Sequence, residues 1–151
     1  MNLVQFAGIS VIVYAGLIAG MVIAWMAQEE IKPGKRYFIL MHDILVAAIA
    51  YLVLESLKIH PLISLITPII VLCALVYHQN ACTKSPFIYL VLGIALALSS
   101  SSRLFLPVAS LIFFYGFLIG SLQIDLKRRN YLAILAKNLV FFAGIIVFRV
   151  V

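Results

Sequence analysis

The run LVQFAGISVIVYAGLIAGMVIAWMA, residues 3–27, contains no Asp, Glu, Lys or Arg. A helix rising about 1.5 Å per residue needs about 20 predominantly apolar residues to cross about 30 Å of hydrocarbon, and this run exceeds that length. Inside hydrocarbon every backbone N–H and C=O has to be paired within the structure, so only helices or closed barrels can span. The apolar residues are continuous rather than alternating, which excludes a barrel strand. The run has no basic leader and no convincing cleavage site, so it reads as a retained transmembrane helix.

Five further apolar runs follow, at about 37–57, 59–77, 86–102, 104–122 and 131–151. The expected fold is therefore all-α: one integral membrane domain over residues 1–151, a polytopic bundle of six transmembrane helices, with five as the alternative. Composition agrees, since 66% of the 151 residues are hydrophobic, 11% are charged and the mean hydropathy is +1.21. That leaves too little polar surface to cover a soluble globule. The fourth run reaches spanning length only if residues 99–102, all serine, continue its helix, their hydroxyls bonding back to carbonyls one turn earlier. Pro61, Pro86 and Pro107 fall in first turns, where a missing N–H is harmless. Pro68 falls mid-span and is expected to kink the third helix and free the carbonyl near Ser64. Pro33-Gly34 reads as a turn between the first two helices.

The net charge of +6 sits in short loops, which points to anionic lipid headgroups as partners rather than to nucleic acid. With six spans, Lys32, Lys35, Arg36, Lys84, Lys127, Arg128 and Arg129 lie on one side. Lys58, Arg103 and Arg149 lie on the other. Retained positive charge marks the cytoplasmic side, so both termini are expected on the non-cytoplasmic side of a cell membrane. A faint echo links residues 28–37 to residues 123–131. The helix preceding each carries small residues at four-residue spacing: Gly16, Gly20 and Ala24 in one, Gly116 and Gly120 in the other. Such spacing lets helix backbones approach closely, and packing within the chain is the preferred reading over dimerisation.

Candidate functional residues are those placed where they are costly. Asp43 lies about 9 Å below the interface implied by Tyr37, where an ionised carboxylate needs a partner or water. Ala47 and Ala50 continue its stripe, which suits a helix-packing face. An Asp43–Lys137 ion pair between the second and sixth helices is one expectation. The alternative is that Lys137 snorkels to the headgroups while Asp43 finds a hydroxyl, an amide such as Asn138, or water. His42, Asp43, His78, Lys137 and Asn138 together make a candidate intramembrane polar path. Glu29, Glu30, Asp43 and Asp125 are the carboxylates that could serve catalysis at the cytoplasmic face, and His42, Asp43 and His78 are of the ligand types that bind divalent metal. Their spacing matches no metal motif, and no cofactor is expected.

The remaining polar residues have ordinary readings. Glu55 and Lys58 stand three apart, the spacing of a same-face ion pair, and His60 precedes Pro61 in the outer turn as a cap. Trp25, Tyr37, Tyr77 and Tyr131 fit an aromatic belt. Cys73 reads as a buried small hydrophobe, and Cys73 and Cys82 have no zinc-type spacing. Residues 42–99, with Glu55, His60-Pro61-Leu62, Tyr77-His78 and Ser85-Pro86, resemble the phosphate-starvation-inducible membrane proteins over less than half of the chain. The basic residue expected before the histidine is absent, so the chain is not assigned to that family. Membrane CAAX-type proteases carry a glutamate pair followed by an arginine, but here Gly34 occupies the arginine position.

Three functions fit these residues. The first is a small transport or permeation protein, or a membrane subunit of a larger transport or energy-coupling complex. The second is a membrane-embedded enzyme acting on a lipid headgroup or prenyl substrate. The third is a non-catalytic scaffold. Transport leads, because intramembrane ionisable residues mark paths and relays. A bundle this small is expected to form a homo-oligomer or to join a membrane complex.

Overall fold

A computed structural model describes residues 2–77, 86–123 and 131–150, with the side chains of 28–33, 86, 123, 149 and 150 outside the description. Its elements are all helical: α1 (Leu3–Met26), α2 (Gln28–Ser56), α3 (Pro61–Tyr77), α4 (Pro86–Ser99), α5 (Phe105–Gln123), α6 (Tyr131–Asn138) and α7 (Val140–Val150). No strand occurs among the described residues. Leu139 alone interrupts α6 and α7, its N–H shared between the carbonyls of Leu135 and Ala136. The two helices therefore serve as one apolar segment.

Four segments are long and apolar enough to cross a membrane: Leu3–Met26, Gly34–Ser56, Phe105–Leu122 and Tyr131–Phe148. The helices α3 and α4, at 17 and 14 residues, are apolar but shorter. By rise per residue they cover about 26 Å and 21 Å. The expected continuation of α4 through residues 99–102 does not occur. The Ser99 hydroxyl does bond back to the Leu96 carbonyl (3.1 Å), as expected. The Ser102 hydroxyl, however, donates to the Ser99 carbonyl (2.9 Å) and accepts from the Leu104 N–H (3.2 Å). These bonds close a turn between α4 and α5, because serine hydroxyls compete with the helix ladder as readily as they join it.

The expected Pro33-Gly34 turn is also absent. The backbone is helical from Gln28 onward, and the break from α1 falls on the single residue Ala27 (φ −118°, ψ 45°). Pro33 stands sixth in α2, past the first turn where proline is readily tolerated, and the backbone stays helical through it. Pro61 and Pro86 are the first residues of α3 and α4, and Pro107 is the third of α5, as their missing donors favour.

Glycine decides which helices meet. A Cβ on Gly16 or Gly20 would strike the carbonyl oxygen of Phe113 or Phe117, and one on Gly120 would strike that of Leu17. The seam between α1 and α5 is therefore backbone against backbone, and the four-residue spacing is used within the chain. The Ser121 hydroxyl closes it, placed 3.0 Å from the carbonyls of both Gly20 and Phe117. With Phe6 against Phe105 at one end (ring centroids 5.8 Å apart) and Gly20 against Ser121 at the other, α1 and α5 run parallel. A second glycine contact, Gly93 against Phe141 and Gly144 against Leu90, joins α4 to α7. Helix α2 lies against α3 and α5 and touches α4.

Helix α3 is peripheral. Only Ser64, Pro68 and Leu75 of it are buried, while Leu62, Ile66, Ile69 and Ile70 face outward. Cys73, expected in the core, faces outward too, since α3 packs chiefly on α2 and turns most of its circumference away from the bundle. The α2–α3 corner differs from the expected ion pair. The helix ends at Ser56, and Lys58 takes a left-handed conformation (φ 54°). Its N–H donates to the Glu55 carbonyl (3.0 Å) and that of Ile59 to the Leu54 carbonyl (3.3 Å), the double bond of a glycine-type helix stop. His60 caps α3 as expected, its Nδ1 accepting from the Leu62 N–H at 3.4 Å. A side chain costs about 1 kcal/mol in the left-handed region. Lys58→Gly is therefore expected to stabilise the protein by roughly that amount, read as a raised unfolding midpoint in detergent.

Candidate polar site between α2, α4 and α5

Neighbouring helix residues point about 100° apart, so two in succession are both buried only on a helix enclosed from two sides. Helix α2 meets that condition between α3 and α5. His42 is 0% and Asp43 2% exposed. Their side chains join directly, His42 Nδ1 lying 2.8 Å from Asp43 Oδ1. The other ring nitrogen, Nε2, lies 3.2 Å from the hydroxyl of Tyr115, buried midway along α5. The two rings also pack at 4.9 Å between centroids. Tyr89, near the start of α4, completes the group with its ring edge-on to Tyr115 at 5.6 Å.

The chain of groups is thus carboxylate, imidazole and phenol, drawn from two helices and closed by a third. When Nδ1 donates to Asp43, Nε2 accepts from the Tyr115 hydroxyl if the imidazole is neutral, and donates to it if the ring carries a second proton. Either way, a proton arriving at one end can leave at the other without any side chain moving far. Two polar atoms of the group have no hydrogen-bond partner among the described residues: Asp43 Oδ2 and the Tyr89 hydroxyl. Buried polar atoms are normally satisfied, so such atoms mark where a water, proton or ligand has something to bind. A third tyrosine, Tyr14 of α1, spends its hydroxyl on the Leu135 carbonyl (2.7 Å) and ties α1 to α6.

Of the polar residues selected from the sequence, His42 and Asp43 come together. The Asp43–Lys137 ion pair does not form: Lys137 is on the exposed face of α6, and the carboxylate takes its bond from the adjacent histidine. Asn138, beside it, is buried, but it is not the partner of Asp43. His78 and Asp125 lie outside the described residues. So do the side chains of Glu29 and Glu30, whose backbone forms the first turn of α2. Among the described residues no three His, Cys, Asp or Glu side chains converge as a metal site would require.

Tyr115 and Tyr89 were not anticipated. For Tyr115 a signal was available: a tyrosine in the middle of an apolar run has to place its hydroxyl, whereas one near a run end, as Tyr89 is, has water within reach. No family model, curated protein or solved structure matches the chain. The functional reading therefore rests on the site alone.

Proposed function

We propose that this chain is a multi-pass protein of the cell membrane that works as a small transport or permeation protein, or as the membrane subunit of a larger transport or energy-coupling complex. The observation that carries the reading is the Asp43–His42–Tyr115 chain, buried between helices, with Asp43 Oδ2 unsatisfied at one end and the Tyr89 ring packed edge-on against Tyr115 at the other. Ionisable groups in such a place are expensive and serve ion paths and proton relays by default. In this reading α3 and α4 also cross, as short spans in a locally thinned bilayer, giving six spans with both termini on the non-cytoplasmic side. The protein acts as a homo-oligomer or within a membrane complex. A scaffold role loses its motive, because the glycine faces that would recruit other helices are taken up by α1 against α5 and α4 against α7.

The test is proton flux into liposomes holding the purified protein, followed with an entrapped pH dye, for wild type and Asp43→Asn. The amide is nearly isosteric and still accepts from His42 Nδ1, so the fold should survive, as circular dichroism and elution volume would report. A relay through the carboxylate should lose at least tenfold in flux. Wild-type flux in a folded Asp43→Asn protein, or no flux above empty liposomes from wild type and its co-purifying partners together, would remove the proposal.

A further inference from the structure

The ends of α1 and α5 remote from the polar site frame a cleft of about 720 Å³. Its mouth is polar: Gln5 from α1, and Ser100, Ser101, Ser102 and Arg103 from the turn before α5. Arg103 is exposed and makes no hydrogen bond or ion pair among the described residues. Below the mouth the surface becomes apolar. A groove of about 340 Å³ continues it, sharing Ile9, Ile12 and Leu106 and running past Ala109 to Phe113. From Phe105, where α5 begins, to Phe113 is eight residues, about 12 Å of helix rise, and Arg103 stands in the turn above that end. That approaches half of a hydrocarbon core of about 30 Å, the depth filled by the acyl chains of one leaflet.

A guanidinium at the rim above an apolar furrow one leaflet deep is complementary to a molecule with an anionic head and a hydrocarbon tail. We propose that the cleft between α1 and α5 is a binding site for one anionic phospholipid, its phosphate on Arg103 and the serines and an acyl chain along Ile9, Ile12, Leu106 and Phe113. Arginine suits the role because its planar fork of donors pairs with two phosphate oxygens at once. The serine turn adds hydroxyls at the same level. Gly8 lines the cleft and has open space beside it, a Cβ there meeting nothing within 4 Å. Unlike Gly16 and Gly20 it is not needed for helix contact. Its missing side chain is room for the ligand. The proposal rests on the membrane reading of the chain but not on transport through Asp43.

Native mass spectrometry of the protein released from nanodiscs of equal phosphatidylglycerol and phosphatidylcholine tests it. Wild type should retain phosphatidylglycerol in preference. Arg103→Gln should lower that preference about fivefold, the effect of one basic residue near an anionic headgroup. Gly8→Leu, whose added Cβ meets nothing within 4 Å and whose side chain enters the furrow, should remove the bound lipid of either kind while leaving the unfolding temperature unchanged or raised. A preference that survives Arg103→Gln but is lost when Lys127, Arg128 and Arg129 become glutamine would overturn the proposal, since the anion would then belong to the other leaflet. Lipid retained in full by a folded Gly8→Leu protein would overturn it too.

Discussion

Gly20→Leu is expected to prevent α1 and α5 from assembling, at a cost of about 3 kcal/mol or more. The first atom of the new side chain would fall on the Phe117 carbonyl oxygen and close to that residue's Cα, and neither can yield without moving α5. Overpacking a core typically costs about 1–3 kcal/mol where side chains can shift, and here the obstacle is backbone. Separating the helices also breaks the Ser121 hydroxyl contact to the Gly20 carbonyl and opens the packing around buried Leu17 and Met21. Against a total stability of about 5–15 kcal/mol, such a loss should appear as poor recovery and a strongly lowered melting point. The emission of Trp25, the sole tryptophan and near the end of α1, is a direct readout. Gly8→Leu makes the same chemical change on the same helix where the added Cβ meets nothing within 4 Å, so it controls for helix propensity and hydrophobicity. Equal melting points for the two variants would show that the seam is not held at backbone distance.

This seam could be read from the sequence because four-residue spacing of glycines in an apolar run has little use other than close approach. Other features could not, and the reasons are local. Pro33-Gly34 has the composition of a turn, yet the helix runs through it and the break falls on Ala27, which no propensity marks. The serines at 99–102 are equally suited to prolonging a helix and to capping one, and only the neighbouring α5 decides for capping. The cost of Asp43 was visible from its depth, as was the small-residue stripe through buried Ala47. Its partner was not. Consecutive residues do not face each other on an isolated helix. The His42–Asp43 bond exists because neighbouring helices fold both side chains back into one pocket. Tyr115, 73 positions away, enters only through tertiary structure.

The same pair leads to the second large effect. His42→Leu removes the only hydrogen bond to the Asp43 carboxylate among the described residues, its other oxygen having none, and leaves the group buried without compensation. Breaking a buried pair in this way costs about 3–5 kcal/mol. Asp43→Leu leaves a polar but neutral ring nitrogen without its acceptor, which costs about 1–3 kcal/mol. The double variant His42→Leu/Asp43→Leu removes both polar groups and substitutes apolar volume. It is expected to lie within about 1 kcal/mol of wild type or above it, because desolvating the pair offsets much of its attraction. The three unfolding free energies, measured by denaturant titration in one detergent, should therefore be far from additive, with the histidine variant the least stable. Near-additive values with His42→Leu costing under about 1 kcal/mol would mean that water reaches the carboxylate and that no closed dyad exists. If the double variant is as stable as wild type but inactive in the flux assay, the fold does not need the pair. Its retention in so apolar a bundle is then accounted for by the proton it can hold and pass.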